Sequence, residues 1–365
     1  MATPRKLAVP AVLLLCAVPA TATACTTDEP VAEEAVATPV SSTSVPPSPT
    51  APPTPPSTGT AATPGGSPST TAGFTDGGDP LRAQQTALAQ LAIPAAWSTA
   101  TGTGQVIAVV DTGVDLDHPD LAAQLVDGVN LIEPGTPPQD DNGHGTHVAG
   151  IAAAATGNGI GGSGVAPSAK IMPVKVLDRS GAGDPVVIAN GVRWAADHGA
   201  TVINLSLGGS GLAGRLTKGG PINLALREAS TRGVVIVAAS GNEAAIERDY
   251  RVGVAVIVVN ACDASGSPAD FSNVGDPRAV TAPGVDIIST APTAATDIWP
   301  KGTDGYEALS GTSMASPVVA GVVALLLSHG VPPDQISERL SSTARNPSQD
   351  ARLGAGVISP VDALR

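Results

Sequence analysis

The chain has 365 residues, a formal charge of -13 and a pI near 4.6, so it has no cationic footprint for nucleic-acid phosphates or an anionic membrane surface. Aromatic residues make up only 2%, which leaves little to stack on bases or sugar rings. A 42% hydrophobic content, carried mostly by Ala, Val, Leu and Ile, can bury a core. That core must lie in roughly the last 285 residues, because about the first 80 cannot build one.

Residues 1–24 read as a secretory signal. Arg5 and Lys6 give a charged start, Leu7 to Val18 an apolar stretch, and Ala22-Thr23-Ala24 a small-residue cleavage context. Ala24 followed by Cys25 also resembles the lipobox of bacterial lipoproteins, although Ala22 stands where a Leu is commonest. The expectation is therefore an extracellular or cell-surface protein, either anchored through a lipidated Cys25 or simply secreted. Residues 25–78 form a tether rich in Pro, Thr and Ser; twelve of the 34 prolines lie between Pro30 and Pro80, a composition that stays extended and solvated. Losing Cys16 with the signal leaves Cys25 and Cys262, and Cys262 reads as a small buried residue near a strand end.

From residue 79 to 365 the pattern alternates. Val106 to Val110, Ile171 to Val176, Val202 to Leu205, Val234 to Ala239 and Val254 to Val259 are short, continuous and rich in β-branched residues, as strands buried on both faces should be. Helical patterns fall between and after them, at His147 to Ala155, Pro185 to His198, Ile222 to Arg232 and Ser313 to His329. This order predicts an α/β domain with a mostly parallel sheet covered by helices on both faces. In such sheets the chemistry sits beyond the carboxyl ends of the strands.

Three segments meet that expectation. The first strand ends in Asp111-Thr112-Gly113, which places a carboxylate where a buried strand becomes a loop. Asp140-Asp141-Asn142-Gly143-His144-Gly145-Thr146-His147 puts a histidine between two glycines at a helix start. Gly311-Thr312-Ser313-Met314-Ala315-Ser316-Pro317 opens a later helix with a serine, with Pro317 expected in the first turn, where it is tolerated. A serine hydroxyl needs a neutral imidazole to take its proton, and the imidazole needs a partner to fix its tautomer. Ser313, His144 and Asp111 can fill those roles.

These segments, in the order Asp, His, Ser, resemble those of the subtilisin-like serine proteases, the subtilases, from about Asp79 to the C-terminus. The resemblance implies a three-layer αβα fold and a serine endopeptidase that cuts polypeptides, expected to be monomeric, with no catalytic cofactor. It also implies that Asn242 helps hold the oxyanion, and that Ser206, Leu207 and Gly208 pair with an extended substrate. A structural calcium is implied too, with Asp79, Asp120 and Asn158 among its ligands. His147, His118 and His198 are expected to play packing, loop and helix-end roles.

Two features depart from the family. The tether lacks the hydrophobicity of a domain-sized folding propeptide, so folding is expected to proceed without one or with help in trans. After Asn242, the segment Ala244 to Gly253 is short and charged, with Tyr250 followed by Arg251 rather than Pro. The alternative from another class is a catalytically silent peptide-binding pseudoprotease or assembly scaffold. An esterase would normally carry a Gly-x-Ser-x-Gly elbow, which this chain lacks. Gly209-Ser210-Gly211-Leu212-Ala213-Gly214 fits a dinucleotide fingerprint, but no acid follows about twenty residues on.

Overall fold

The computed structural model describes residues 78–207, 220–246 and 255–365. The signal, the tether, Cys25, Gly208, the Gly209–Gly214 segment and Tyr250-Arg251 lie outside the described residues. Ten strands and five longer helices are described. In chain order they are β1 (Val106–Asp111), β2 (Val129–Asn130), α1 (His144–Ala153), β3 (Lys170–Lys175), α2 (Pro185–Asp197) and β4 (Val202–Leu205). Next come α3 (Pro221–Thr231), β5 (Val235–Ala239), β6 (Val256–Cys262), β7 (Val280–Pro283), β8 (Ile287–Thr290) and β9 (Tyr306–Leu309), followed by α4 (Thr312–Ser328), α5 (Ile336–Thr343) and β10 (Gly356–Val357).

Eight strands form one sheet in the order β10-β7-β6-β5-β4-β1-β3-β2, and every ladder in it is parallel. Parallel pairing requires crossovers, and the helices that supply them cover both faces. Alternation along β1 shows how one sequence serves two cores. Ile107 and Val109 point into a core shared with Val148 of α1 and Val319 of α4. Ala108 and Val110 point the other way, to Ile188 of α2 and Ile222 of α3. Both faces are sealed, so β1 is buried from Ile107 to Asp111 and delivers Asp111 to the sheet's carboxyl edge inside the protein.

Two boundaries differ from the sequence expectation. Helix α1 starts at His144 rather than His147, because Gly143 at φ 109° turns the chain in a left-handed conformation open mainly to glycine. The same helix ends at Ala153 rather than Ala155, and residues 156–161 follow it as a loop. Outside the large sheet, β8 and β9 form an antiparallel hairpin that packs beside α1 and leads into α4. Among the described residues, no helix is long and apolar enough to cross a membrane.

Candidate active site

The end of β1 meets the start of α1, and the start of α4 meets the residues after β4 and β5. Asp111 Oδ1 lies 2.8 Å from His144 Nδ1, with Asp111 fully buried and His144 only 9% exposed. The Thr112 amide is a second donor to Oδ1, at 2.8 Å, which fixes the carboxylate plane. The close packing depends on Gly145: a Cβ there would lie 2.1 Å from the Gly113 carbonyl oxygen. Burial opposes a charged imidazole, but the charge and hydrogen bond of Asp111, with the charge of Asp140 behind, raise His144 above its ordinary value.

Asp140 is a residue whose role the sequence pattern did not reveal. Its buried carboxylate accepts from the Thr112 hydroxyl (2.9 Å), the Asn142 and Gly143 amides (3.1 and 2.9 Å), and the Thr146 amide and hydroxyl (2.9 and 2.6 Å). Burial pushes its carboxyl upward, but five donors leave no place for a proton, so it acts as a carboxylate that ties the His144 turn to the Asp111 loop. Buried Lys175 adds a third tie, donating to the Thr112 carbonyl and to Asp141 at 2.6 Å each.

Ser313 is the second residue of α4 and is 3% exposed. Its hydroxyl donates to the Ser206 carbonyl at 3.2 Å, so it must rotate to reach His144. Catalytic hydrogen bonds often close only around substrate. Pro317 is not in the first turn, as the sequence suggested, but inside the helix. Without an N–H it leaves the Ser313 carbonyl unclaimed, and the Ser206 hydroxyl donates to that oxygen at 2.9 Å. Ser206 in turn accepts from Asn204, whose side-chain oxygen accepts from the Ser316 hydroxyl at 2.8 Å. A buried polar chain thus fastens the end of β4 to the start of α4. Leu207 is buried beside it.

Asn242 Oδ1 accepts from the Thr312 amide (2.9 Å) and the Thr312 hydroxyl (3.0 Å). With its oxygen pinned, its amide nitrogen stays available beside Gly311, whose Cβ position lies 3.4 Å away. Asn273 braces the same loop by accepting from the Glu243 and Ala245 amides. The Ser313 amide lies in the first helical turn and has no intrahelical partner. The Asn242 NH2 group and the Ser313 amide are thus two donors near the start of α4.

The model of the Subtilase family matches residues 102–356. The chain belongs to the subtilase family. Thermitase from Thermoactinomyces vulgaris is 44% identical over 253 residues, which is 69% of this chain and 85% of that one. Subtilisin E from Bacillus subtilis (strain 168) is 40% identical over 281 residues, 74% of this chain and 69% of that one. Among solved structures, a protease from Pseudoalteromonas arctica PAMC 21717 superposes with a TM-score of 0.70 at 31% identity, covering 80% of this chain and 99% of that chain. This subtilase is accordingly a subtilisin-type serine endopeptidase.

The remaining histidines and Cys262 sit away from the reacting atoms. His147 is buried on α1 with Nε2 against the Glu307 carbonyl, and burial lowers it to about 3, so it stays neutral. His118 holds the Gly305 carbonyl, and His198 stacks on Trp194. Burial pushes the Cys262 thiol up to about 12, which removes its nucleophilicity at neutral pH.

The fold brings the three expected calcium residues together and links them into a hydrogen-bonded cluster. Asp79 accepts from the Gly157 and Gly159 amides and the Ser163 hydroxyl. Asp120 accepts from the Asn158 NH2 group (2.7 Å), the Tyr306 hydroxyl (2.8 Å) and the Gly162 amide (3.3 Å). The Asn158 oxygen accepts from the Ile160 amide instead. Calcium needs six to eight oxygen lone pairs aimed at one point. Each carboxylate oxygen here already faces an N–H or O–H donor, and Asn158 turns its NH2 group rather than its oxygen toward Asp120, so hydrogen bonds hold the cluster in this arrangement.

Proposed function

We propose that this endopeptidase hydrolyses polypeptides with Ser313 as nucleophile, His144 as base and then acid, and Asp111 as the group that orients and stabilises the imidazole. The observation that carries these roles is the 2.8 Å Asp111–His144 contact beside a serine and an asparagine whose oxygen is already held. An extended peptide lies along Ser206, Leu207 and Gly208, with Gly208 outside the described residues. Ser313 turns from the Ser206 carbonyl to His144 Nε2 and attacks the scissile carbonyl carbon while the imidazole takes its proton. The carbonyl electrons move onto oxygen, which accepts from the Ser313 amide and Asn242 Nδ2. His144 then gives its proton to the departing amine, the C–N bond breaks, and water repeats the sequence on the acyl ester. Imidazole alone activates the nucleophile, so the reading calls for no catalytic cofactor.

Ser313→Ala tests these roles. Peptide hydrolysis should disappear while the melting temperature stays near wild type; residual turnover at the wild-type rate would refute the assignment.

The proposal extends to location: residues 1–24 direct export, 25–78 act as a stalk, and 79–365 form the protease, held at the cell surface through Cys25. The Ala24-Cys25 junction and the Pro-rich stretch behind it support this reading. The native protein should partition into detergent and Cys25→Ala should release it to the medium; equal partitioning would leave secretion alone.

A further inference from the structure

Strands β8 and β9 pair directly at Thr290 and Tyr306, yet the connection between them runs from Ala291 to Gly305. Hairpin connections usually take about 2–5 residues, and much longer ones tend to carry function. This one is fastened across the His144 turn. Asp297 and Ile298 donate their amides to the carbonyls of Asp141 and Asn142 at 3.2 and 3.1 Å, and the Asp297 carboxylate lies 3.5 Å from Arg179.

Within the connection Trp299 is held at both ends. Its amide donates to the Thr296 hydroxyl, and its carbonyl accepts from the Thr296 and Gly302 amides at 3.0 and 2.9 Å. The indole is half-buried and lies against Gly143, where a Cβ would come within 2.7 Å of the ring. Gly143 is the residue just before His144. The chain's other two tryptophans serve elsewhere: Trp97 is in the core, and Trp194 stacks on His198. An anchored, half-exposed indole against the residue that precedes His144 has no role in the bond-breaking steps.

The topology says which half of a substrate passes it. The acyl half pairs along Ser206 and Leu207, at the end of β4. His144 protonates the departing amine, so the leaving half exits past His144, away from β4. The β8–β9 connection packs on Asp141, Asn142 and Gly143, which lead into His144, and lies just upstream of Ser313 in the chain.

We propose that Trp299 is a specificity-determining residue for the leaving half of the substrate, its indole forming an apolar wall that favours a bulky apolar residue directly after the cleaved bond. This rests on the roles given to Ser313 and His144. The wall touches only the leaving residue and so alters selectivity without entering the bond-breaking steps.

Acyl transfer isolates that position. The full-chain enzyme is acylated with a peptide ester, and the acyl-enzyme is partitioned among water, leucinamide and glycinamide. The amine nitrogen attacks the acyl carbon, His144 takes its proton, and the Ser313 oxygen departs and recovers a proton. Wild type should favour leucinamide, and Trp299→Ala should cut the leucinamide to glycinamide ratio by about tenfold, the scale expected when an apolar contact is lost from a pocket. Ester hydrolysis should change less than about twofold, and Trp299→Phe should retain most of the preference. Trp299→Gln, a polar residue of similar reach, should lose it, which keeps the test open if the alanine variant folds poorly. An unchanged ratio in Trp299→Ala or Trp299→Gln would overturn the proposal, as would an equal loss with both amines and water. Wild-type ester turnover reads the catalytic assignment separately from the ratio.

Discussion

Thr312→Val removes a hydroxyl that does two things at once. It donates to Asn242 Oδ1 at 3.0 Å and accepts from the Gly241 amide at 3.1 Å. In the variant, Asn242 keeps only the Thr312 amide as anchor, and the Gly241 amide, in a buried residue, loses its partner. An unpaired buried donor costs about 1–3 kcal/mol of stability. A neutral hydrogen bond has a net worth of about 0.5–1.5 kcal/mol; if all of that is felt at the transition state, kcat falls about two- to twelvefold. KM should stay constant, because the ground-state carbonyl carries no full charge to be held. Asn242→Ala should fall much further, by roughly 10²–10³ in kcat, a magnitude established on subtilisin itself. Thr312→Ser keeps the hydroxyl and should restore both stability and turnover. Steady-state kinetics on a chromogenic peptide, paired with urea denaturation, measure all three variants. A Thr312→Val enzyme with wild-type kcat beside a crippled Asn242→Ala enzyme would refute the idea that Thr312 aims the oxyanion donor.

The raised value of His144 sets the acid limb of kcat/KM. Activity should fall as pH drops through a value above 6.5, since protonated imidazole cannot accept the serine proton, and Asp111→Asn should move the residual limb lower. A wild-type limb at or below 6.5 would contradict this cause. The sign for stability is opposite: the His144–Asp111 pair contributes fully below 6.5 and that contribution is lost as pH rises through the raised value. Because three hydrogen bonds on each of Asp79 and Asp120 already hold the 156–162 loop, melting temperatures in millimolar calcium and in excess chelator should agree within about a degree. A fall of several degrees on chelation would mean that the 156–162 loop re-forms around a cation.

The five central strands were legible because both of their faces are sealed, which demands continuous β-branched runs such as Val256 to Val259. The hairpin was not. Tyr306–Leu309 has only partly buried and exposed positions, and its Tyr-Glu-Ala-Leu sequence carries no strand signature. Strands β2 and β10 have two residues each and exist only because neighbours extend the sheet. Asp111, His144 and Ser313 could be read from local motifs, each defined by its own neighbours in sequence. The supports could not. Asn204 meets Ser316 across more than a hundred residues, and Asp140 differs from any acidic loop residue only once five donors surround it. The expected calcium residues show the same limit: residue types put Asn158 near Asp120, but only three-dimensional structure decides whether its oxygen or its NH2 group turns inward.

An active-site phosphonate bearing a peptide tests the central claim most directly, because it bonds only to a serine activated by its neighbours. With the full-chain enzyme at pH 8, labelling should be stoichiometric, mass spectrometry should place the adduct on Ser313, and activity should fall in proportion. His144→Ala should abolish labelling while leaving the fold intact. Slow or absent labelling of a folded protein that still binds peptide would contradict the catalytic account and leave the scaffold reading in its place.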